Sequence, residues 1–368
     1  FYILFEAMLI PMYFLIGVYG GDKRQYAAMK FLLYNLLGGL LMLAAVIGLY
    51  LQSPAGERTF GLAELVALDI DSTTQGWLFL GFMVAFALTA PLWPLHTWLP
   101  DAATEAPSSQ AAYLSGVVDK VGTFGMVALV LPLFPDATQT FAPVVVTLAV
   151  ISVLYGGLLA IGQTDIKRII AFSSISHFGV IVLGIFALTS QGTSGSTFYM
   201  VSHGLSTAAL FIVGGFLIAR RGSRRLADFG GVQKPAPILA GFMLVAGLSG
   251  LAMPGLATFV SEFLVLVGTF SRYQVAAALA TFGIVLAALY ILIMYQRTMT
   301  GPTTPETENT PDVRGREAII VAPLFALLIA LGVAPTVMLD PIDDATRQTL
   351  EQVGVTDPDP VFARGGAE

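Results

Sequence analysis

The chain has 368 residues, 56% of them hydrophobic and 11% charged, with a formal net charge of -6 and a mean hydropathy of +0.79. Soluble domains carry roughly 25% charged residues, so this composition excludes a soluble globular protein and describes an integral membrane protein. With no cysteine in the chain, a disulfide framework, a thiolate metal site and a cysteine-held iron–sulfur cluster are excluded as well.

The chain opens with "FYILFEAMLIPMYFLIGVYGG", already inside an apolar segment. Without an initiating methionine, a basic lead or a small-residue cleavage site, this reads as an N-terminally truncated chain and not as a signal peptide. Runs long enough for a hydrocarbon core, which takes roughly 20 apolar residues, follow at 1–20, 27–51, 77–93, 107–133, 141–162, 168–190, 195–219, 236–270, 274–296 and 318–339. The runs are continuous, whereas a β-barrel would show short alternating strands. The expected fold is an all-α polytopic membrane protein of about ten spans.

Alternating the connections places Lys23, Arg24, Lys167, Arg168, Arg220, Arg221, Arg224, Arg225, Lys234, Arg297, Arg314 and Arg316 on one side. The other side holds Arg58, Arg272, Arg347 and Arg364. Positive loops stay cytoplasmic, so both ends of this chain are expected outside.

Two runs are interrupted. "TAPLWPLHTWLPDAATEAP" (89–107) carries four prolines, and "GLSGLAMPGLATFVSEF" (247–263) sets Pro254 and Gly255 inside an apolar stretch. Proline removes a backbone donor and breaks or kinks a helix. Broken membrane helices persist where they are buried in protein or line a watery cavity, and in transporters they lie near the ion site. An ordinary kink would explain either break alone, but each lies close to an intramembrane polar residue.

Charged residues at membrane depth cost at least about 2.5–3.5 kcal/mol each on insertion scales. Four positions qualify: Glu6, Lys30, the neighbours Asp119 and Lys120, and Glu262. Lys30 stands near a cytoplasmic end and can snorkel to the interface. Lys120 and Glu262 lie well inside their runs. Desolvation and opposite charge act on such groups in opposing directions, so they suit proton exchange, the plain alternative being a static buried ion pair. Asp119, about 100° around the helix from Lys120, is expected to partner a different helix.

The histidines are His96, His177 and His203. His177 and His203 each lie within a span beside serines, as packing residues in a polar seam or as proton relays; their spacing argues against a metal site. Asp165, Lys167 and Arg168 mark a cytoplasmic helix start, where headgroup anchoring is the default reading. No Walker loop, dinucleotide fingerprint or nucleophile elbow is present, and the glycines are scattered as in close helix packing.

Taken in order, "FEAMLIPMYFLIG", "PLHTWLPDA", "IGQTDIKRIIAFSSISHFG", "HGLSTAALF" and "PGLATFVSEFLVLVGTF" resemble the antiporter-like subunit M of bacterial NADH-quinone oxidoreductase, respiratory complex I, and its mitochondrial counterpart, NADH dehydrogenase subunit 4. The resemblance runs nearly from the start to about Pro302, and "QRTMTGP" and "LIARRGSR" lean toward an actinobacterial version. It implies an antiporter-like fold with inverted five-helix repeats and two broken helices, this chain supplying helices five to fourteen. Residues 1–302 would form the proton-translocating domain, 303–339 a connecting loop and last span, and 340–368 a polar, loosely ordered tail without assigned activity. It further implies that Glu6 is the essential glutamate of helix five, Lys120 the central lysine of helix eight and Glu262 the acidic residue of the broken twelfth helix. His177 and His203 fall on the central hydrophilic axis, and Thr89, Asp119 and Lys167 complete the proton-path candidates.

One departure stands out. The family usually reads "FAVKAPLWPLHTWLP", with a lysine paired to the helix-five glutamate; here the segment is "FALTAPLWPLHTWLP", with Thr89 in that place. Threonine can bond a water but holds no charge. The following "TEAPSSQAAYLSGVVDK" departs as well.

The resemblance implies a subunit of a proton-translocating NADH:quinone oxidoreductase, placed in the inner (cytoplasmic) membrane of a bacterium. The chain would hold no cofactor and no metal, with flavin, iron–sulfur clusters and quinone in partner subunits. Its partners would be the other membrane subunits of complex I, including neighbouring antiporter-like ones, and the lipid bilayer, with no nucleic acid. The rival readings are a subunit of a multi-subunit Na+/H+ antiporter, a membrane subunit of an energy-conserving hydrogenase, and a purely structural scaffold.

Overall fold

The computed structural model describes residues 1–359; Arg364 and the end of the expected tail lie outside the described residues. Among the described residues, eight helices are long and apolar enough to cross a membrane. They are α1 (Tyr2–Tyr19), α2 (Arg24–Gln52), α5 (Ser108–Leu133), α6 (Pro135–Ile161), α7 (Ile166–Phe186), α8 (Ser190–Arg221), α11 (Gln274–Met299) and α12 (Gly315–Val333). The two remaining expected spans are the interrupted ones. The first is α3 (Ser72–Thr89) followed by the short α4 (Trp98–Glu105), and the second is α9 (Pro237–Gly250) followed by α10 (Ala257–Arg272). Helices dominate because hydrocarbon leaves no partner for a backbone polar group outside the segment's own ladder.

Side-chain caps mark several starts. Asp71 accepts from the N–H groups of Thr73 and Thr74 at the head of α3, Asp165 from those of Lys167 and Arg168 at the head of α7, and Thr189 from Gly192 N–H at the head of α8. Such caps satisfy donors that the first turn leaves free. α8 ends at Gly222, whose φ of +68° suits the residue without a Cβ.

α7 is the axis of the bundle: the apolar window that qualifies it as a span is 100% buried, against 11% for α12. α6, α8, α10 and α11 pack around it. α2 turns Leu33, Leu37, Leu40 and Ile47 outward, where lipid is their natural surrounding. α12 lies against α8 and α10, and Val321, Phe325 and Leu328 join the same core as α7 and α8.

Three local features differ from expectation. The 107–133 run is not a uniform α-helix, because Leu114–Val118 and Met126–Val130 are π-turns within α5. Single π-turns inside α-helices commonly occur at functional sites. The expected loose tail begins instead with a helix, α13 (Thr336–Val353), closed by Gly354 at φ +73°. Its buried Thr346, Leu350 and Val353 recur at helical spacing, and it packs across α8 and α6, with Gln139 Nε2 donating to the Val353 carbonyl at 2.8 Å. Lys30 does not snorkel: its ammonium is paired with Asp101 of α4 at 2.8 Å.

Candidate functional site

Lys120 begins the α-helical stretch directly after the first π-turn of α5 and is 9% exposed. Its Nζ donates to the Ser115 carbonyl and lies 2.7 Å from Nδ1 of His203 on α8. It also stands 4.6 Å from the centre of the Phe178 ring on α7, a cation–π contact. When Lys120 is charged it has no lone pair, so His203 Nδ1 must accept. His203 Nε2–H then donates to Thr207 Oγ1 at 3.0 Å, with Ser174 Oγ 3.4 Å away. α5 reaches α8 this closely because two glycines meet: a Cβ on Gly204 would stand 2.7 Å from the Gly116 carbonyl and 3.9 Å from Lys120 Cε.

From His203 the polar series continues inward. The His203 and His177 rings meet edge to face at 5.1 Å, and His177 Nε2 lies 3.3 Å from the Tyr290 hydroxyl on α11. The Tyr199 ring stands 6.1 Å from both histidine rings, and its hydroxyl donates to Glu262 Oε2 at 2.9 Å. Paired hydroxyls line the same seam: Ser202 with Ser261 at 2.7 Å, and Ser206 with Ser249 at 2.8 Å. Lys120, His203, His177 and Glu262 thus share one buried cluster, but Lys120 and Glu262 do not touch. They are linked through rings, not by the direct pair that their sequence positions allowed.

The other candidates lie elsewhere. Glu6 on α1 rests against Gly39 of α2, and its buried Oε1 has no hydrogen-bond partner among the described residues. Thr89 ends α3, is 1% exposed and donates to Asn35 Oδ1 on α2 at 3.1 Å. Asp119 is fully buried, yet both carboxylate oxygens lack a hydrogen-bond partner among the described residues. The partner helix expected for it therefore offers it no donor.

Lys167 is also not the headgroup anchor that its position suggests. It is 6% exposed and donates to the Ala106 carbonyl at the end of α4. It belongs to a network in which Asp101 bridges Lys30 and Arg168, and Arg224 bridges Glu105 and Asp165. The network ties the hinge of the first broken helix to the starts of α2 and α7. From Lys167, α7 carries Ser174 and His177 at steps of seven and three residues, on one helical face.

Sequence reasoning missed Tyr199, Tyr290 and the Asp101–Glu105–Arg224 network. Tyr199 precedes His203 by four residues, so the helical period was the available signal. The ion pairs join residues 59 to 119 positions apart, and a single sequence carries no mark of them.

A bundle with two broken helices and a buried lysine–histidine–glutamate series defines an antiporter-like membrane subunit. The chain belongs to the NADH:quinone oxidoreductase/Mrp antiporter transmembrane family, whose pattern it matches over residues 1–287. It is 57% identical over 371 residues to NADH-quinone oxidoreductase subunit M of Mycobacterium tuberculosis strain H37Rv, covering 99% of this chain and 67% of that protein. Subunit M of Rickettsia prowazekii is 41% identical, covering 92% and 69% respectively. Among solved structures, a chain of respiratory complex I from Thermus thermophilus with bound NADH superimposes with a TM-score of 0.91 at 34% identity, covering 96% of this chain and 75% of that one. A chain of the Mrp complex from Dietzia sp. DQ12-45-1b shares the fold, with a TM-score of 0.83 at 23% identity and coverage of 96% and 75%.

Proposed function

We propose that this chain is a proton-translocating membrane subunit of an NADH-quinone oxidoreductase, respiratory complex I, and that Lys120 and Glu262 hold the transferred proton in turn. The observation that carries the reading is the buried series Lys120–His203–His177–Tyr199–Glu262, which spans from α5 across α8 to the second broken helix. Each member can take or give a proton, and the distances are short enough for transfer by ring rotation or through single waters.

In this reading the proton enters from the cytoplasmic side, where Lys167 and its ion-paired neighbours close the bundle, and reaches Lys120. It passes through the histidine pair to Glu262 and leaves outward along α10, both ends of the described chain facing outside. Charge changes near Glu6, on the neighbouring α1, set how firmly Lys120 holds its proton, since a nearby charge shifts the equilibrium. Flavin, iron–sulfur clusters and quinone belong to partner subunits, which drive the cycle through the neighbouring antiporter-like membrane subunits.

The test is proton uptake by proteoliposomes holding the complete complex with Lys120→Ala. Fewer protons per NADH, with the complex still assembled, supports the reading; normal pumping sinks it. The second reading, a subunit of a Na+/H+ antiporter, is supported by the Mrp-like fold. Sodium-dependent proton exchange without NADH would favour it.

A further inference from the structure

Asp119 has no place in the series above, and its surroundings are unusual for a carboxylate. It is fully buried and neither oxygen receives a hydrogen bond from a described residue; the hydroxyl of Ser115, four residues earlier, is likewise buried and unpartnered. Its chain neighbour Lys120 spends its Nζ on the Ser115 carbonyl and His203, so no ion pair forms. A bare carboxylate in such a place is disfavoured unless it carries a proton or faces a cation.

The backbone fixes where Asp119 stands. The π-turn Leu114–Val118 ends at it, and its N–H donates to the Leu114 carbonyl at 3.1 Å. One turn later, Gly122 rests on the end of α3: a Cβ there would lie 2.6 Å from the Phe86 carbonyl and 2.8 Å from Ala90 N. Residues three apart share a helix face, which puts Asp119 on the α3 side of α5, where Phe86, Thr89 and Ala90 bring no cation. Lys120, one step round, is turned toward α8. The two neighbours therefore open onto different seams of the bundle.

We infer that Asp119 is a proton-holding residue that forms a dyad with Lys120 and loads it from the α3–α5 seam. The inference rests on the proton-translocating reading of Lys120. In the loading step the carboxyl O–H of neutral Asp119 breaks and an N–H forms on the uncharged Lys120 amine. A carboxylate and an ammonium result, with no change in net charge. A hydronium arriving along the seam then reprotonates the carboxylate and leaves as water. Neutralising Asp119 removes the anion that held the ammonium, and Lys120 releases its proton to His203. Because the two side chains are not hydrogen-bonded, the first step runs through one water or a change of Asp119 rotamer.

The test uses the complete complex carrying this chain, reconstituted in proteoliposomes, with proton uptake per NADH and infrared difference spectra as readouts. Asp119→Asn is expected to slow proton delivery about 100-fold, within the range for removing an acid–base group, and to lower the yield per NADH to that of Lys120→Ala. Asp119→Glu should retain pumping. The wild type should show a protonated-carboxyl band that Asp119→Asn lacks. Asp119→Leu, which removes the buried polar group altogether, should assemble and fail to pump in the same way. Normal pumping in Asp119→Asn or Asp119→Leu alongside a defective Lys120→Ala overturns the inference alone. Normal pumping in Lys120→Ala overturns the reading beneath it.

Discussion

The Tyr199 hydroxyl donates to Glu262 at 2.9 Å, binding α8 to the second broken helix at its buried carboxylate. Four residues on, the same face of α8 presents His203 to Lys120 at 2.7 Å. One helical turn therefore fixes both ends of the polar series, and the spacing between Lys120 and Glu262 is set by a rigid element.

Replacing Tyr199 with phenylalanine keeps the ring in its slot and deletes the donor to Glu262. A hydrogen bond to a charged group contributes about 1.5–3 kcal/mol, so Glu262 should hold its proton differently by one to two orders of magnitude in equilibrium. The expected result in proteoliposomes is an assembled complex with reduced proton yield. A yield equal to wild type would show that Glu262 does not need the phenol.

His203→Gln preserves hydrogen bonding beside Lys120 but does not titrate near neutral pH. Proton uptake should fall toward the level of Lys120→Ala while NADH oxidation by the partner subunits continues with artificial acceptors. Full pumping in this variant would place the path elsewhere.

Thr89→Lys places a cation at the α2–α3 contact, where Thr89 meets Asn35, one turn from the Gly39 against which Glu6 rests, and Glu6 Oε1 has no donor among the described residues. Coupling should rise, measured as protons per NADH, and a second change, Glu6→Gln, should cancel the gain. No change on adding the lysine would mean that threonine at this position leaves the cycle intact.

The Gly116–Gly204 crossing gives a prediction about stability. Gly204→Val forces α5 and α8 apart beside Lys120, and overpacking typically destabilises by about 1–3 kcal/mol. Gly241→Ala on α9 meets nothing within 4 Å and should be neutral or slightly stabilising. Thermal inactivation of the detergent-purified complex should fall in temperature for the first variant and not for the second.

The eight uninterrupted spans and the break at Pro254–Gly255 were legible because hydropathy and proline act locally. Lys120 and Glu262 stood out because charge at membrane depth demands a reason. Tyr199 did not, since a tyrosine in a greasy helix looks like any core aromatic until its partner is known. Lys30 illustrates the same limit: its position near a span's end suited snorkelling, and the carboxylate that holds it lies 71 residues away. α13 was hidden by its polarity, which suggested a loose tail although Thr346, Leu350 and Val353 share one face. The π-turns of α5, Leu114–Val118 and Met126–Val130, have no local signature in the sequence.

The most direct test of the central claim is the proton-to-NADH ratio of the reconstituted complex with Lys120→Ala, measured beside wild type at equal subunit content. The account predicts a lower ratio from a complex that still assembles and still oxidises NADH with artificial acceptors. An unchanged ratio would contradict it.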